Sequence, residues 1–189
     1  MKSKYLLLLL LIAIISSCQQ NTNSNNNLQQ KVDSLQKVLQ QYTDDAALTQ
    51  QRLQRFDTLD FDFYSHQQWD SLSVSHAQDI VVTYPDGSQT KGLPDHIKQL
   101  EPLFTFAPDT KIKEHPVRFG SGDWTCVIGV MTGTFSKPMP VGDGKTIAPT
   151  GKSFHLSMCT VGHWEHGKMK EEMLFWDNAS MMKQIGLGK

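Results

Sequence analysis

The chain has 189 residues, 39% hydrophobic and 20% charged, with 18 Lys+Arg against 19 Asp+Glu and a formal net charge of -1. This is the composition of an ordinary globular protein, and a balanced charge without a basic stripe excludes nucleic acid as a partner. Three cysteines cannot build a disulfide framework, and the length fits one folded domain behind a processed leader.

Lys2 and Lys4 precede an apolar run from Tyr5 to Ile15, about half of the ~20 residues that span a bilayer as a helix. The run predicts a signal-peptide core and not a membrane span. Ile15-Ser16-Ser17-Cys18 follows, an aliphatic residue and two small ones before a cysteine, which resembles the lipobox of bacterial lipoproteins. That resemblance implies a signal peptide over residues 1–17, lipidation of Cys18, and a domain held outside the cytoplasm on a membrane of the bacterial cell envelope. The alternative is ordinary secretory cleavage with Cys18 a bystander. Residues 19–30 are almost wholly Gln, Asn, Ser and Thr, which predicts a disordered spacer. Leu28, Val32, Leu35, Leu39, Tyr42 and Ala46 then recur in steps of four and three along one helical seam. The seam reads either as a self-associating stalk or as a single helix packed on the domain. Residues 18–43 are therefore the lipidated cysteine, linker and tether helix, and residues 44–189 the folded domain.

Thr43 with Asp44 and Asp45 reads as the N-cap of a new helix, given a buried face by Leu53, Phe56, Leu59 and Phe63. Trp69, Leu72 and Val74 suggest a further short packed segment. The β-branched run of residues 79–84 predicts a strand that ends at the turn Pro85-Asp86-Gly87-Ser88. Pro94 opens a helix with Ile97, Leu100 and Phe104 on one face, and Pro102 should kink or end it. Strands follow over residues 111–119, 124–135, 153–163 and 168–176. Pro116 makes the first an edge strand or a bulged one, and residues 136–151 form a long loop of the kind that borders binding sites. Asp177-Asn178 cap a final short helix. The order predicts an α+β fold, a curved antiparallel sheet with helices packed on its concave face.

This order, with Asp79-Ile80-Val81-Val82-Thr83-Tyr84-Pro85-Asp86-Gly87, Pro149-Thr150-Gly151-Lys152, Gly167-Lys168-Met169-Lys170-Glu171-Glu172 and Phe175-Trp176-Asp177, resembles the SnoaL-like polyketide (ester) cyclase family over residues 44–186. The resemblance implies a cone-shaped α+β barrel of the nuclear transport factor 2-like type, enclosing an apolar cavity, often as a homo-oligomer. It also implies aldol-type ring closure without metal, cofactor or covalent nucleophile, by an acid/base group beside an acidic carbon. The family's acid/base Asp falls on Leu174, which cannot move a proton. Its preceding His/Glu falls on Glu172 and its second Asp on Asp177.

Period-two alternation puts Glu172, Leu174 and Trp176 on one strand face and Glu171, Met173 and Phe175 on the other. Glu172 is thus the candidate cavity carboxylate, either a general base or a solvated strand residue. His155, midway along the neighbouring strand, is the candidate proton carrier, or a structural histidine. Asp177 fits a helix cap better than a base. Trp69, Tyr84, Phe104, Trp124 and Trp176, with Leu174, are candidate walls for a small hydrophobic or aromatic ligand, or simply core. His163 and His166 flank a hairpin turn without a third ligand nearby, a poor zinc pattern. Cys126 and Cys159 fall on neighbouring strands, as a disulfide or as buried free thiols. These residues support three readings: a lipid-anchored binder of a small apolar molecule, a cofactor-free acid/base enzyme, or an envelope scaffold for a protein partner.

Overall fold

The computed structural model describes the backbone of residues 2–188 and the side chains of residues 25–188. The expected lipidation site, the side chain of Cys18, lies outside the described residues. Residues 1–45 and 46–189 form two compact units.

Helix α1 (Lys2–Asp57) is continuous, which corrects the expected spacer over residues 19–30 and the expected helix start at Thr43. The Thr43 hydroxyl donates to the Leu39 carbonyl one turn back instead of capping a new helix. Gln29 donates to Asp33 and Gln40 to Asp44 across single turns, so polar side chains support helix here through pairs four residues apart. The seam residues Leu28, Leu35, Leu39 and Tyr42 are exposed.

In the second unit a π-helical turn (Thr58–Phe63) and two 3-10 turns (Tyr64–His66 and Trp69–Val74) follow α1. Next come β1 (His76–Thr83), β2 (Gln89–Lys91), α2 (Leu93–Phe106), β3 (Lys111–Ile112), β4 (Val117–Ser121) and β5 (Trp124–Thr134). The chain ends with β6 (Met139–Pro140), β7 (Thr146–Ile147), β8 (Ser153–Glu165), β9 (Lys168–Phe175) and α3 (Asn178–Gln184). The main sheet has the order β2-β1-β9-β8-β5-β3, with β4 also on β5. Strands β5, β8 and β9 form the antiparallel meander read from the sequence. Strand β1 departs from that reading by pairing with β9 in parallel, which the long crossover between them permits. Around Pro116, which has no N–H to give a ladder, the expected single strand splits into β3 and β4. Helix α2 runs through Pro102 to Phe106, forgoing one backbone bond without ending. The Asp177 carboxylate accepts from the Ser180 N–H at 3.0 Å and caps α3.

Two apolar clusters fill the space between sheet and helices. One centres on Ile112, Phe135, Phe154 and Ile185, the other on Phe56, Leu72, Ile80 and Trp164. Trp164 is fully buried, edge-on to Phe56 at 5.8 Å, and its indole N–H donates to Thr125 at 2.8 Å. Burying side chains of this size is worth roughly 1.5–3 kcal/mol each. Arg52 donates to the Gly122 carbonyl at 2.5 Å and to Asp123 at 2.8 Å, and Arg55 to the Gly167 carbonyl. The last turns of α1 are thereby tied to both meander hairpins.

Candidate functional site

A cavity of about 370 Å³ opens between the inner face of the sheet, α2 and the turns after α1. Register places its polar groups. Glu172 on β9 pairs with Val82 on β1 and with Gly162 on β8. Leu174, two residues on, pairs with Thr160 on the same inner face. Leu59, Leu100, Met131 and Met158 supply apolar wall.

The Glu172 residue is only 5% exposed, and its Oε2 lies 3.5 Å from His96 Nε2 and 3.7 Å from His76 Nε2. The two imidazole rings stack with centroids 5.5 Å apart. The ring nitrogens and the carboxylate oxygen all lie within 4.8 Å of one another, so this group could hold a metal ion. His76 opens β1, with its Nδ1 2.9 Å from Ser75 Oγ and 3.1 Å from the Leu72 carbonyl. His96 sits in the first turn of α2, with its Nδ1 2.9 Å from the Tyr84 hydroxyl. Burial pushes the His96 imidazolium down to about 4, against the pull of Glu172. Burial would raise the Glu172 carboxyl, but the two histidines outweigh it and hold it below its ordinary range. At neutral pH the end of the cavity therefore presents a carboxylate beside a neutral His96.

Asp60 contributes a second buried carboxylate to the wall. Its Oδ2 lies 2.9 Å from His115 Nε2, and His115 Nδ1 lies 2.8 Å from Asp57 Oδ1. With both carboxyl groups ionised they only accept, so both ring nitrogens then donate and His115 is an imidazolium. Arg118 pairs with the other Asp57 oxygen, and the Phe61 ring lies 4.5 Å from the His115 ring. Burial holds the Asp60 carboxyl above its ordinary range, offset only in part by His115. For His115 burial acts downward, but Asp60 and Asp57 outweigh it and raise the imidazolium. This line of polar contacts runs from the cavity to the half-exposed Arg118. Two carboxylates, each against histidine in an apolar chamber, can orient a polar group of a ligand or exchange a proton with it.

Of the residues singled out from the sequence, Glu172, Leu174, Tyr84 and Trp176 line the cavity. His155 does not: it is exposed, with its backbone bonded to the Gln184 side chain. The expected pairing of His155 with Glu172 is corrected, because on β8 the inward set is Thr160 and Gly162, beside Leu174 and Glu172. Trp124 is exposed on the outer face, stacked on His163 at 4.5 Å. Trp69 and Phe104 pack together at 5.4 Å within the core. Asp177 is the α3 cap. Cys126 and Cys159 are free thiols with sulfurs 3.6 Å apart, and burial, then Cys126, raises the Cys159 thiol to about 11.

The sequence reading missed His76, His96 and the Asp60–His115–Asp57 line. A signal existed for His96, which interrupts the buried stripe of α2 between Leu93 and Leu100 at helical spacing. For His76 alternation gives no guide, because the β1–β9 register shifts between His76 and Val81.

The sequence profile of the SnoaL-like polyketide cyclase family matches residues 54–185. A comparison with curated proteins finds no match. Among solved structures the chain is similar to a protein assigned as a SnoaL-like polyketide cyclase from Jannaschia sp. CCS1, at 18% identity and TM-score 0.64, over 75% of this chain and 96% of that one. It is also similar to wild-type IdmH from Streptomyces antibioticus, assigned as a polyketide cyclase, at 21% identity and TM-score 0.62, over 72% and 99%. A protein with a ketosteroid isomerase-like fold from Catenulispora acidiphila DSM 44928, solved with trimethylamine, matches at 13% identity and TM-score 0.57, over 74% and 95%. These structural likenesses concern the fold. With most of the domain, cavity included, matched by the family profile, the chain belongs to the SnoaL-like polyketide cyclase family.

Proposed function

We propose that the protein is a lipid-anchored component of the bacterial cell envelope whose cone domain binds a small, largely apolar or aromatic molecule. The observation that carries this reading is the cavity of about 370 Å³, with largely apolar walls and a few buried polar groups, Glu172 and Asp60 among them. A chamber of that kind suits a ligand with a largely hydrophobic body and few polar groups. The mature chain carrying Cys18→Ser, free of detergent, is titrated with a panel of hydrophobic probes and followed by the fluorescence of Trp176 in the cavity wall. Saturable binding that weakens tenfold or more in Leu174→Arg is expected, and no saturable binding across the panel overturns the reading. Anchoring is read separately: labelled fatty acid enters the wild type, and its equal incorporation into Cys18→Ser sinks the anchor.

A second reading, proton-transfer catalysis of the cyclase, isomerase or hydrolase kind, is favoured by the two buried carboxylates in one cavity wall. A carboxylate takes the proton from a carbon beside a substrate carbonyl, and neighbouring donors hold the enolate oxygen. Glu172→Gln or Asp60→Asn then costs on the order of 100-fold in turnover. Unchanged turnover of an identified substrate in both variants removes this reading. We also propose that the domain pairs with a second copy through its outer sheet face, where Phe119, Phe175 and Trp124 are exposed.

A further inference from the structure

We propose that His76, His96 and Glu172 form a binding site for one divalent transition-metal ion, zinc being the first candidate, with the remaining coordination position open to the cavity. The proposal goes beyond the ligand-binding reading and departs from the metal-free chemistry that the family resemblance implies. It starts from spacing. The Glu172 Oε2 to imidazole Nε2 separations of 3.5 and 3.7 Å exceed the ~2.7–3.2 Å of a hydrogen bond between such atoms. They approach the roughly 3.4 Å edge of a tetrahedron whose centre makes ~2.1 Å bonds to nitrogen and oxygen.

The direction of the lone pairs argues the same way. His76 Nδ1 lies 3.1 Å from the Leu72 carbonyl and 2.9 Å from the Ser75 hydroxyl. With its proton on Nδ1 and given to the carbonyl, the ring turns the lone pair of Nε2 toward the carboxylate oxygen, the tautomer a metal ligand needs. Both atoms, His76 Nε2 and Glu172 Oε2, are buried and have no hydrogen-bond partner. Two acceptors facing each other inside a protein are costly unless something positive lies between them. A cation satisfies both at once, where a single proton on His76 would be asked to bridge 3.7 Å.

The surroundings resemble those of ligating histidines. Each ring is held through its other nitrogen, His76 by Leu72 and Ser75, His96 by the Tyr84 hydroxyl, the outer contacts that orient metal-bound imidazoles. The three ligands come from β1, α2 and β9, three elements fixed by the fold before any ion arrives. Two imidazoles and one carboxylate with an open position are a donor set that suits zinc, and also ferrous iron. In that state Glu172 is a ligand, and Asp60 is the carboxylate left to face a bound molecule.

The test uses the mature chain carrying Cys18→Ser, stripped with a chelator, with zinc titrated calorimetrically and cobalt(II) followed by visible absorption. One equivalent of zinc per chain and the absorption bands of low-coordinate cobalt are expected. Glu172→Gln and His76→Ala each weaken zinc binding tenfold or more, Tyr84→Phe weakens it several-fold, and the exposed-histidine control His155→Ala leaves it unchanged. Should a substituted ligand prevent folding by circular dichroism, zinc-dependent shifts of the His76 and His96 ring signals in the wild-type protein decide the point. The proposal is overturned if folded wild-type protein binds no zinc, if those ring signals do not move, or if binding survives Glu172→Gln but is lost in Cys126→Ser. Binding of hydrophobic probes by the metal-stripped protein is scored separately, so the cavity reading and the metal reading fail independently.

Discussion

At the scale of single residues, His115 carries a pH dependence whose sign follows from its surroundings. It is faced by Asp57 from α1, by Asp60 and the Phe61 ring from the π-helical turn, and through Asp57 by Arg118 from β4. Its folded-state pKa lies above the ordinary value, about 6.5 in an unfolded chain. The folded protein therefore binds the proton more tightly, and the stabilisation is complete below about pH 6.5 and lost as pH rises through the folded value. Asp60, also raised, acts with the same sign in a lower window that opens near pH 4. Both shifts keep a proton between the two groups as pH climbs. Urea unfolding from pH 6 to pH 9 should show falling stability in the wild type and a flatter profile in His115→Gln. At pH 6 that variant should lose about 1–3 kcal/mol, because Asp60 is left buried with a weaker partner. A wild-type profile flat across this range contradicts the assignment. Asp177→Ala, which removes the α3 cap, should lower the melting temperature at every pH where the carboxylate is ionised.

At the scale of elements, what the sequence made legible was whatever repeats at the period of its own backbone. Glu172 and Leu174 could be put on one face of β9 because a strand alternates, and the structure puts both in the cavity wall. His155 was misplaced by the same rule applied alone: its position needed the β8–β9 register, which is a property of two strands. Thr43 looked like a cap because the residue types fit, yet its hydroxyl is spent on Leu39, and only the conformation of the preceding turn distinguishes the two uses. The π-helical turn that delivers Asp60 to the cavity has no signature in composition at all. Long-range clamps were equally invisible. Arg52, 5% exposed, ties α1 to the β4–β5 hairpin through Gly122 and Asp123. Arg52→Ala should lose about 1–3 kcal/mol, since the charged hydrogen bonds to Gly122 and Asp123 and the packing of the buried side-chain stem go together. Hydrogen exchange should localise the loss to residues 46–57 and the Gly122 turn, and an unchanged exchange pattern there means the clamp carries no load.

At the scale of the whole molecule, the proposed pairing rests on what the sheet turns outward. Phe119 pairs with Cys126, Cys126 with Val161, and Val161 with Met173, while Val117, Ile128, Cys159 and Phe175 form a second row on the same face. Phe119 is 60% exposed, Phe175 52% and Val117 45%, and side-by-side apolar rows of this kind mark an interaction surface. A second copy provides a self-complementary cover, because a two-fold axis through the face brings each row against its own image. The exposed seam of α1 is a separate source of association, so the two must be tested apart. Sedimentation of the mature chain carrying Cys18→Ser at tens of micromolar should give a species of twice the monomer mass. Phe119→Glu places a charge that must be desolvated at the centre of the face, and should return the chain to monomer. Leu35→Glu, on the α1 seam, should leave the dimer intact. If Leu35→Glu alone dissociates it, the helix and not the sheet holds the copies together, and the outer face needs another occupant.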